Sequence, residues 1–222
     1  MILRFTQLNS PLNPSPPSRP RCERCLRPAS HCLCAHVRTV ANRTHVLLLQ
    51  HPSEYRHALN TGRLAALGLQ RSQVLVGEHF PDLDAIVAEY HSVFLLFPGD
   101  GAVAPQPLVD HTDPNMALLI VPDGTWRKAR KILYANPILA TLPRLSLENG
   151  PPSSYRLRQT REPAAVSTIE AVVRTLARLE PDQDFSSVLT PFNVLIEQQI
   201  QAMGMDVYGR NYGGLPASEE RN

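Results

Sequence analysis

Apolar residues in this chain come in short unbroken runs, separated by stretches with helical spacing. THVLLLQ (44–50), QVLVG (73–77), SVFLLFP (92–98) and ALLIVP (117–122) are continuous and of strand length. Between them, RHALNTGRLAALG (56–68), LDAIVAEY (83–90) and TWRKARKILYAN (125–136) carry the spacing of amphipathic helices. Gly68 and Pro137 mark two of the helix ends. Further on, PRLSL (143–147) and SYRLR (154–158) are short strand candidates. STIEAVVRTLARLE (167–180) and SSVLTPFNVLIEQQIQAMG (186–204) predict two more helices, the second with a proline near its start. Strands that are apolar on both faces, alternating with helices, are the pattern of an α/β protein with a mostly parallel sheet flanked by helices. There is no internal repeat.

Ligands of open α/β sheets sit outside the carboxyl ends of the strands. That rule singles out three loops: Gln50-His51-Pro52, Phe97-Pro98-Gly99-Asp100-Gly101 and Pro122-Asp123-Gly124-Thr125.

Composition divides the chain. With 222 residues and 43% hydrophobic content it can bury a large core, as one main domain with an appendage. Residues 1–20 are a flexible arm rich in Pro, Ser and Asn, and 21–40 enclose every cysteine. The main domain is expected over 41–208, followed by a loose polar tail over 209–222. A formal net charge of +2 forces no nucleic-acid partner. The balance of cations is more unusual, with 20 Arg against 2 Lys. Arginine grips phosphate and stacks on bases, which suits RNA, although the base composition of the gene would explain the bias equally well. No apolar run approaches the ~20 residues of a membrane span, and the N-terminus lacks the apolar stretch of a signal peptide. A reducing, cytoplasmic setting is therefore expected, where cysteines serve as ligands or catalysts more often than as disulfides.

CERCLRPASHCLC places Cys22, Cys25, Cys32 and Cys34 in a C-x2-C-x6-C-x-C array. Four thiolates this close suit a tetrahedral Zn²⁺, with a disulfide or a redox pair as the competing reading. A site closed by four protein ligands has no position for water, so such a zinc would be structural. Arg21, Arg24 and Arg27 would decorate the resulting knuckle.

The stretch DGTWRKARK (123–131) joins a strand end to a basic helix and contains the lone Trp126. Asp at the strand end, Gly in the turn, Thr as a cap and Trp packed on the sheet account for it as plain architecture. A helix start is also an anion site, so a functional role fits the same residues. Ser167-Thr168-Ile169-Glu170 has the capping-box signature. Arg156 and Arg158 share one face if their segment is a strand. With Arg127, Lys128, Arg130 and Lys131 they make either a solvated face or a phosphate-binding patch.

The cysteine array, HPSE (51–54), NTGRL (60–64), LLFPGDGA (95–102), DGTWRKARK (123–131), YRLR (155–158) and STIEA (167–171) occur in this order. Together they resemble the DTW-domain family, in its bacterial-type form, from about Cys22 to about Met203. The resemblance implies a tRNA-uridine aminocarboxypropyltransferase. Such an enzyme moves the 3-amino-3-carboxypropyl group of S-adenosylmethionine to N3 of a tRNA uridine, here in the variable loop, and releases 5′-methylthioadenosine. It also implies a SPOUT-like α/β fold with a trefoil knot, which pattern alone would argue against because threaded chains are rare. On that reading Asp123 is the first candidate for the carboxylate beside N3 and Glu170 the second. Leu96, Phe97, Pro98, Pro122, Asp123, Gly124, Thr125, Trp126, Ser167 and Thr168 would hold S-adenosylmethionine. Arg127, Lys128, Arg130, Lys131, Arg156 and Arg158 would bind tRNA. Two rivals share these residues: an RNA methyltransferase using the same donor, and a zinc-knuckle RNA-binding protein without catalysis. A monomer without a membrane partner is expected.

Overall fold

The computed structural model describes residues 20–57, 59–108, 113, 115–147, 153–155 and 166–212. Five parallel strands form one sheet: β1 (His45–Gln50), β2 (Ser72–Val76), β3 (Ser92–Leu96), β4 (Ala117–Asp123) and β5 (Arg144–Leu145), in the order β2-β1-β4-β3-β5. Among the described residues six α-helices accompany them: α1 (Thr61–Leu67), α2 (Leu83–Ala88), α3 (Trp126–Ala135), α4 (Thr168–Leu179), α5 (Thr190–Met203) and α6 (Met205–Tyr212). Among the described residues no helix is long and apolar enough to cross a membrane.

The central strands β1 and β4 are apolar on both faces because each face has its own core. Val46, Leu48, Leu119 and Val121 point to one side, where they meet Leu64 of α1, Ile169 and Leu176 of α4, and Phe192 of α5. Leu47, Leu49, Leu118 and Ile120 point to the other, against Leu83 of α2 and Ile132 of α3. This period-2 alternation decides which way the last residues of β1 and β4 face. Glu180, 1% exposed just after α4, accepts the N–H groups of Arg43 and Thr44 at 2.9 and 2.8 Å. That contact ties the end of α4 to the approach of β1.

Several boundaries depart from the periodic pattern, for local reasons. The helix expected from residue 56 starts at Thr61, because Asn60 caps it by accepting the Arg63 N–H at 2.9 Å. The Asn60 amide also donates to the Glu54 carbonyl at 2.8 Å, holding the preceding residues in turns. The PRLSL segment supplies a strand of two residues only, and the SYRLR segment lies largely outside the described residues. The last predicted helix begins as a 3₁₀ turn, Ser186–Leu189, before α5. Pro191 sits in the first turn of α5, where no N–H partner is lost. Gly204, at φ +84°, separates α5 from α6. Helix α6 then runs to Tyr212, four residues into the segment expected as a loose tail, with Tyr208 buried.

The cysteine segment docks on the α5 side of the sheet. Leu33, between the last two cysteines, is fully buried in that core. Arg27 is 4% exposed; its guanidinium donates to the His31 carbonyl at 2.9 Å and to Gln198 Oε1 of α5 at 3.1 Å. An arginine placed as surface decoration by sequence is thus a buried strut.

Candidate active site and metal centre

Residue 123 follows 119 and 121 on the face of β4 that meets α1 and α4, and Gln50 lies opposite it in register on β1. The Gln50 amide donates to Asp123 Oδ2 at 2.7 Å. The Thr168 hydroxyl, from the first turn of α4, donates to Asp123 Oδ1 at 2.6 Å. Asp123 is 5% exposed, and burial raises its pKa above the ordinary carboxylate value against these two hydrogen bonds. Helix α1 completes the enclosure. A Cβ on Gly62 would stand 2.4 Å from Asp123 Oδ2, so only glycine lets the helix approach.

Gly124 takes φ +157° and turns the chain from β4 into α3. Thr125 occupies the N-cap position, but its side chain makes no capping hydrogen bond, unlike the cap expected from sequence. The start of α3 is left without a side-chain cap.

A cleft of about 480 Å³ opens at the carboxyl ends of β3 and β4, between the starts of α3 and α4. Of the residues assigned to a cofactor, Leu96, Phe97 and Pro98 line it from β3, Pro122 and Gly124 from β4, and Trp126 and Thr168 from the helices. Asp123, Thr125 and Ser167 do not line it; Asp123 reaches it only through the Thr168 hydroxyl. Phe97 and Trp126 meet edge to face at 5.5 Å between ring centroids. Arg130 is the one charged side chain on the wall among the described residues.

Glu170 sits differently. It completes the capping box, accepting Ser167 N–H and Oγ–H at 2.9 and 2.6 Å. It also accepts Ser153 Oγ–H at 2.7 Å and Ser154 N–H at 2.6 Å. Four donors surround a carboxylate that is 3% exposed, and the Ser167 hydroxyl is spent on the same box. The capping-box reading of this motif accounts for both residues.

The basic residues of α3 separate into two groups. Lys128 pairs with Glu54 at 2.6 Å on the side facing the loop after β1. Lys131 pairs with Glu78 at 2.7 Å, and His51 reaches the same carboxylate at 2.8 Å. The hydrogen bond from Lys131 holds Glu78 below its ordinary pKa. Arg127 and Arg130 are exposed and, among the described residues, make no hydrogen bond or ion pair. Arg156 and Arg158 lie outside the described residues.

Sequence reasoning assigned no role to Gly62 or Gln50. Each carried a local oddity, though neither names its partner. A glycine in the first turn of a helix lowers helix propensity without a capping reason, and a glutamine at the end of an otherwise apolar strand needs a buried partner. Leu145, Ser146 and Val166 also line the cleft and were missed, because nothing local distinguishes them.

The four cysteines converge. Their sulfur atoms all lie within 4.8 Å of one another, with Cys22 and Cys34 3.6 Å apart and Cys25 and Cys32 3.8 Å apart. A tetrahedron with Zn–S bonds of ~2.3 Å has S···S edges of roughly 3.8 Å. Backbone N–H groups of Cys25 and Arg24 bring the Cys22 thiol down to about 6, while burial pushes the Cys34 thiol up to about 12, so it is the sulfur geometry that carries the fit. The donor set therefore fits a four-thiolate metal centre.

Comparison with known proteins adds the family. A profile of the DTW domain matches residues 19–200. The tRNA-uridine aminocarboxypropyltransferase 2 of Mus musculus is 30% identical over 192 residues, 82% of this chain and 64% of the mouse protein. The chain thus spans a little under two thirds of that relative. The Drosophila melanogaster protein of the same name is 30% identical over 201 residues, covering 85% of this chain and 79% of its own length. Arabidopsis thaliana tRNA-uridine aminocarboxypropyltransferase A is 28% identical over 193 residues, covering 72% of this chain and 73% of its own. No solved structure matches the chain. With a match that runs from just before the cysteine array into α5, the chain belongs to the DTW domain family.

Proposed function

We propose that this protein transfers the 3-amino-3-carboxypropyl group of S-adenosylmethionine to N3 of a tRNA uridine, in the variable loop, releasing 5′-methylthioadenosine. One observation supports the reading most directly: Thr168 lines the cleft at the strand ends, and its hydroxyl is hydrogen-bonded at 2.6 Å to the enclosed Asp123 carboxylate. The names of the relatives support its coarser part, aminocarboxypropyl transfer to a tRNA uridine. The SPOUT-like relationship and its knot belong to this reading too, as does a monomer working in the cytoplasm.

The cleft suits the donor chemically. Leu96, Phe97, Leu145 and Val166 give apolar walls for a purine. The uncapped start of α3 is the anion site for the methionine carboxylate. When bound, S-adenosylmethionine supplies an electrophilic carbon next to a sulfonium. The chain's own residues then have two tasks. One is orientation, which Trp126 and Phe97 serve by closing one side of the cleft. The other is removal of the N3 proton. Among the described residues no carboxylate lines the cleft, so Thr168 takes that proton while passing its own to Asp123. Glu170 acts as a positioning residue that holds the start of α4, and with it Thr168, in place.

The test is mass spectrometry of a reaction containing purified protein, S-adenosylmethionine and unmodified tRNA. Uridine carrying an aminocarboxypropyl mass, with methylthioadenosine released, is expected, and fragment mapping locates it. A methyl mass would make the protein a methyltransferase, and no modification on any tRNA would make it a binding module.

Cys22, Cys25, Cys32 and Cys34 are proposed to hold one structural Zn²⁺ per chain. Stripping it with a chelator frees the segment that anchors Leu33 and Arg27. The melting temperature is expected to fall by roughly 5–10 °C, as for a loss of about 2–3 kcal/mol in a chain of this size. A protein that contains no zinc by elemental analysis and melts unchanged after chelation removes the assignment.

A further inference from the structure

Helix α3 buries Ala129 and Ile132 and turns another face to solvent. Positions 127, 130, 131 and 134 recur at helical spacing on that outer face, and all four are exposed. The last of them, Tyr134, is 91% exposed, more than any other large apolar or aromatic side chain described. A single exposed tyrosine is ordinary on a protein surface. This one is in line with two guanidinium groups, Arg127 and Arg130, that make no hydrogen bond or ion pair among the described residues. No acidic residue occurs anywhere in the helix. Lys131 meets Glu78, a carboxylate already shared with His51. The line starts at the mouth of the cleft, where Arg130 and the half-exposed Trp126 form part of the wall. It ends about 10 Å along the helix axis, seven residues at ~1.5 Å each.

Unpaired arginines beside an aromatic ring with a free face are the chemistry that recognises single-stranded RNA, by phosphate contact and base stacking. A protein partner fits less well, since interface centres are depleted in lysine and need a wider apolar patch. A nucleotide extruded into the cleft also leaves its neighbours short of stacking partners.

We propose that the outer face of α3 is the docking surface for the RNA strand flanking the target uridine, with Tyr134 stacking on an unpaired base next to it. This rests on the tRNA reading above. Arg127 and Arg130 bind the adjoining phosphates, and the ring anchors the strand beside the cleft.

The experiment uses the full chain, its Tyr134→Ala, Tyr134→Phe and Tyr134→Leu variants, and an unmodified tRNA transcript. Affinity is read by fluorescence anisotropy at several salt concentrations, and steady-state rates are measured in parallel. Tyr134→Ala is expected to bind about tenfold more weakly and to raise KM for tRNA by a similar factor, with kcat and the S-adenosylmethionine KM unmoved. Phe restores binding because it keeps the stacking face, and Leu does not. The salt slope stays as in the parent for every Tyr134 variant, while Arg127→Ala and Arg130→Ala each lower it by about 1. If Tyr134→Ala binds tRNA as the parent does, the docking surface is wrong and the tRNA reading stands. If the parent itself neither binds nor modifies tRNA, both fall together.

Discussion

Asp123→Asn is expected to lower group transfer by about 10²–10⁴-fold while S-adenosylmethionine still binds, because a general base contributes on that scale. Asn has the size of Asp, so the close approach of Gly62 survives the exchange. It offers one acceptor oxygen to Gln50 or Thr168, and the Thr168 hydroxyl can rotate to accept from the new amide. What the variant loses is the charge and the capacity to take a proton. Thr168→Val should lower kcat as well, and Thr168→Ser should recover it, since only the hydroxyl links the cleft to the carboxylate. Isothermal titration with S-adenosylmethionine and turnover by mass spectrometry separate binding from chemistry. Normal turnover by Asp123→Asn would end the assignment.

The same variant has a stability signature that follows from burial of the carboxylate. Burial raises the Asp123 pKa, so the folded chain binds that proton more tightly than the unfolded one. The stability this contributes is present at low pH and is lost as pH rises through the raised folded value. At neutral pH the buried charge is a cost, and Asn removes it. Asp123→Asn should therefore melt no lower than the parent at pH 7, with the difference shrinking as pH falls through the raised folded value and closing below the ordinary aspartate value of about 3.9, where Asp is protonated in both states. Activity moves the opposite way: transfer by the parent falls as pH drops through the raised value, because the base must be ionised. Glu170→Ala gives the contrasting result. It strands the donors of Ser153, Ser154 and Ser167, so melting temperature and activity fall together.

How much of this was legible in the sequence depends on the range of the interaction. The strands at 44–50, 92–98 and 117–122 are unbroken apolar runs, and burial on both faces makes such runs unmistakable. The cysteine array was legible because its four cysteines fall within thirteen residues of one another. Helix caps were partly legible. Ser167 and Glu170 form the box their spacing predicts, whereas Thr125 holds the cap position with its side chain elsewhere. The enclosure of Asp123 was not legible. It depends on Gln50, Gly62 and Thr168, which come from three different elements and meet only when β1, α1, β4 and α4 assemble. Nor could spacing show that Arg27 is a strut to Gln198, 171 residues away. The residues that were legible describe single elements, and those that were not describe contacts between elements.

Gly62→Ala is expected to damage both stability and transfer, because both converge on one contact. The new Cβ would stand 2.4 Å from Asp123 Oδ2 and 2.7 Å from its Cγ, distances at which something must move. Neither partner has free space. Gly62 is buried in the first turn of α1, and Asp123 is held by Gln50 and Thr168. Overpacking of this kind costs ~1–3 kcal/mol. In a chain of this length each kcal/mol lowers the melting temperature by about 2–4 °C. Alanine is otherwise the better helix former, so any loss is due to the collision and not to propensity. A double-mutant cycle isolates it. In an Asp123→Ala background the carboxylate is gone and the space it filled can take the methyl group, so the second alanine at 62 should cost little or stabilise. The coupling between the two changes should be about 1–3 kcal/mol, as for residues in direct contact. Additive effects in urea unfolding would show that α1 and β4 are not pressed together at this point. Coupled effects, with transfer lost in the Gly62→Ala single variant, would place the helix backbone among the groups that hold Asp123 under Thr168.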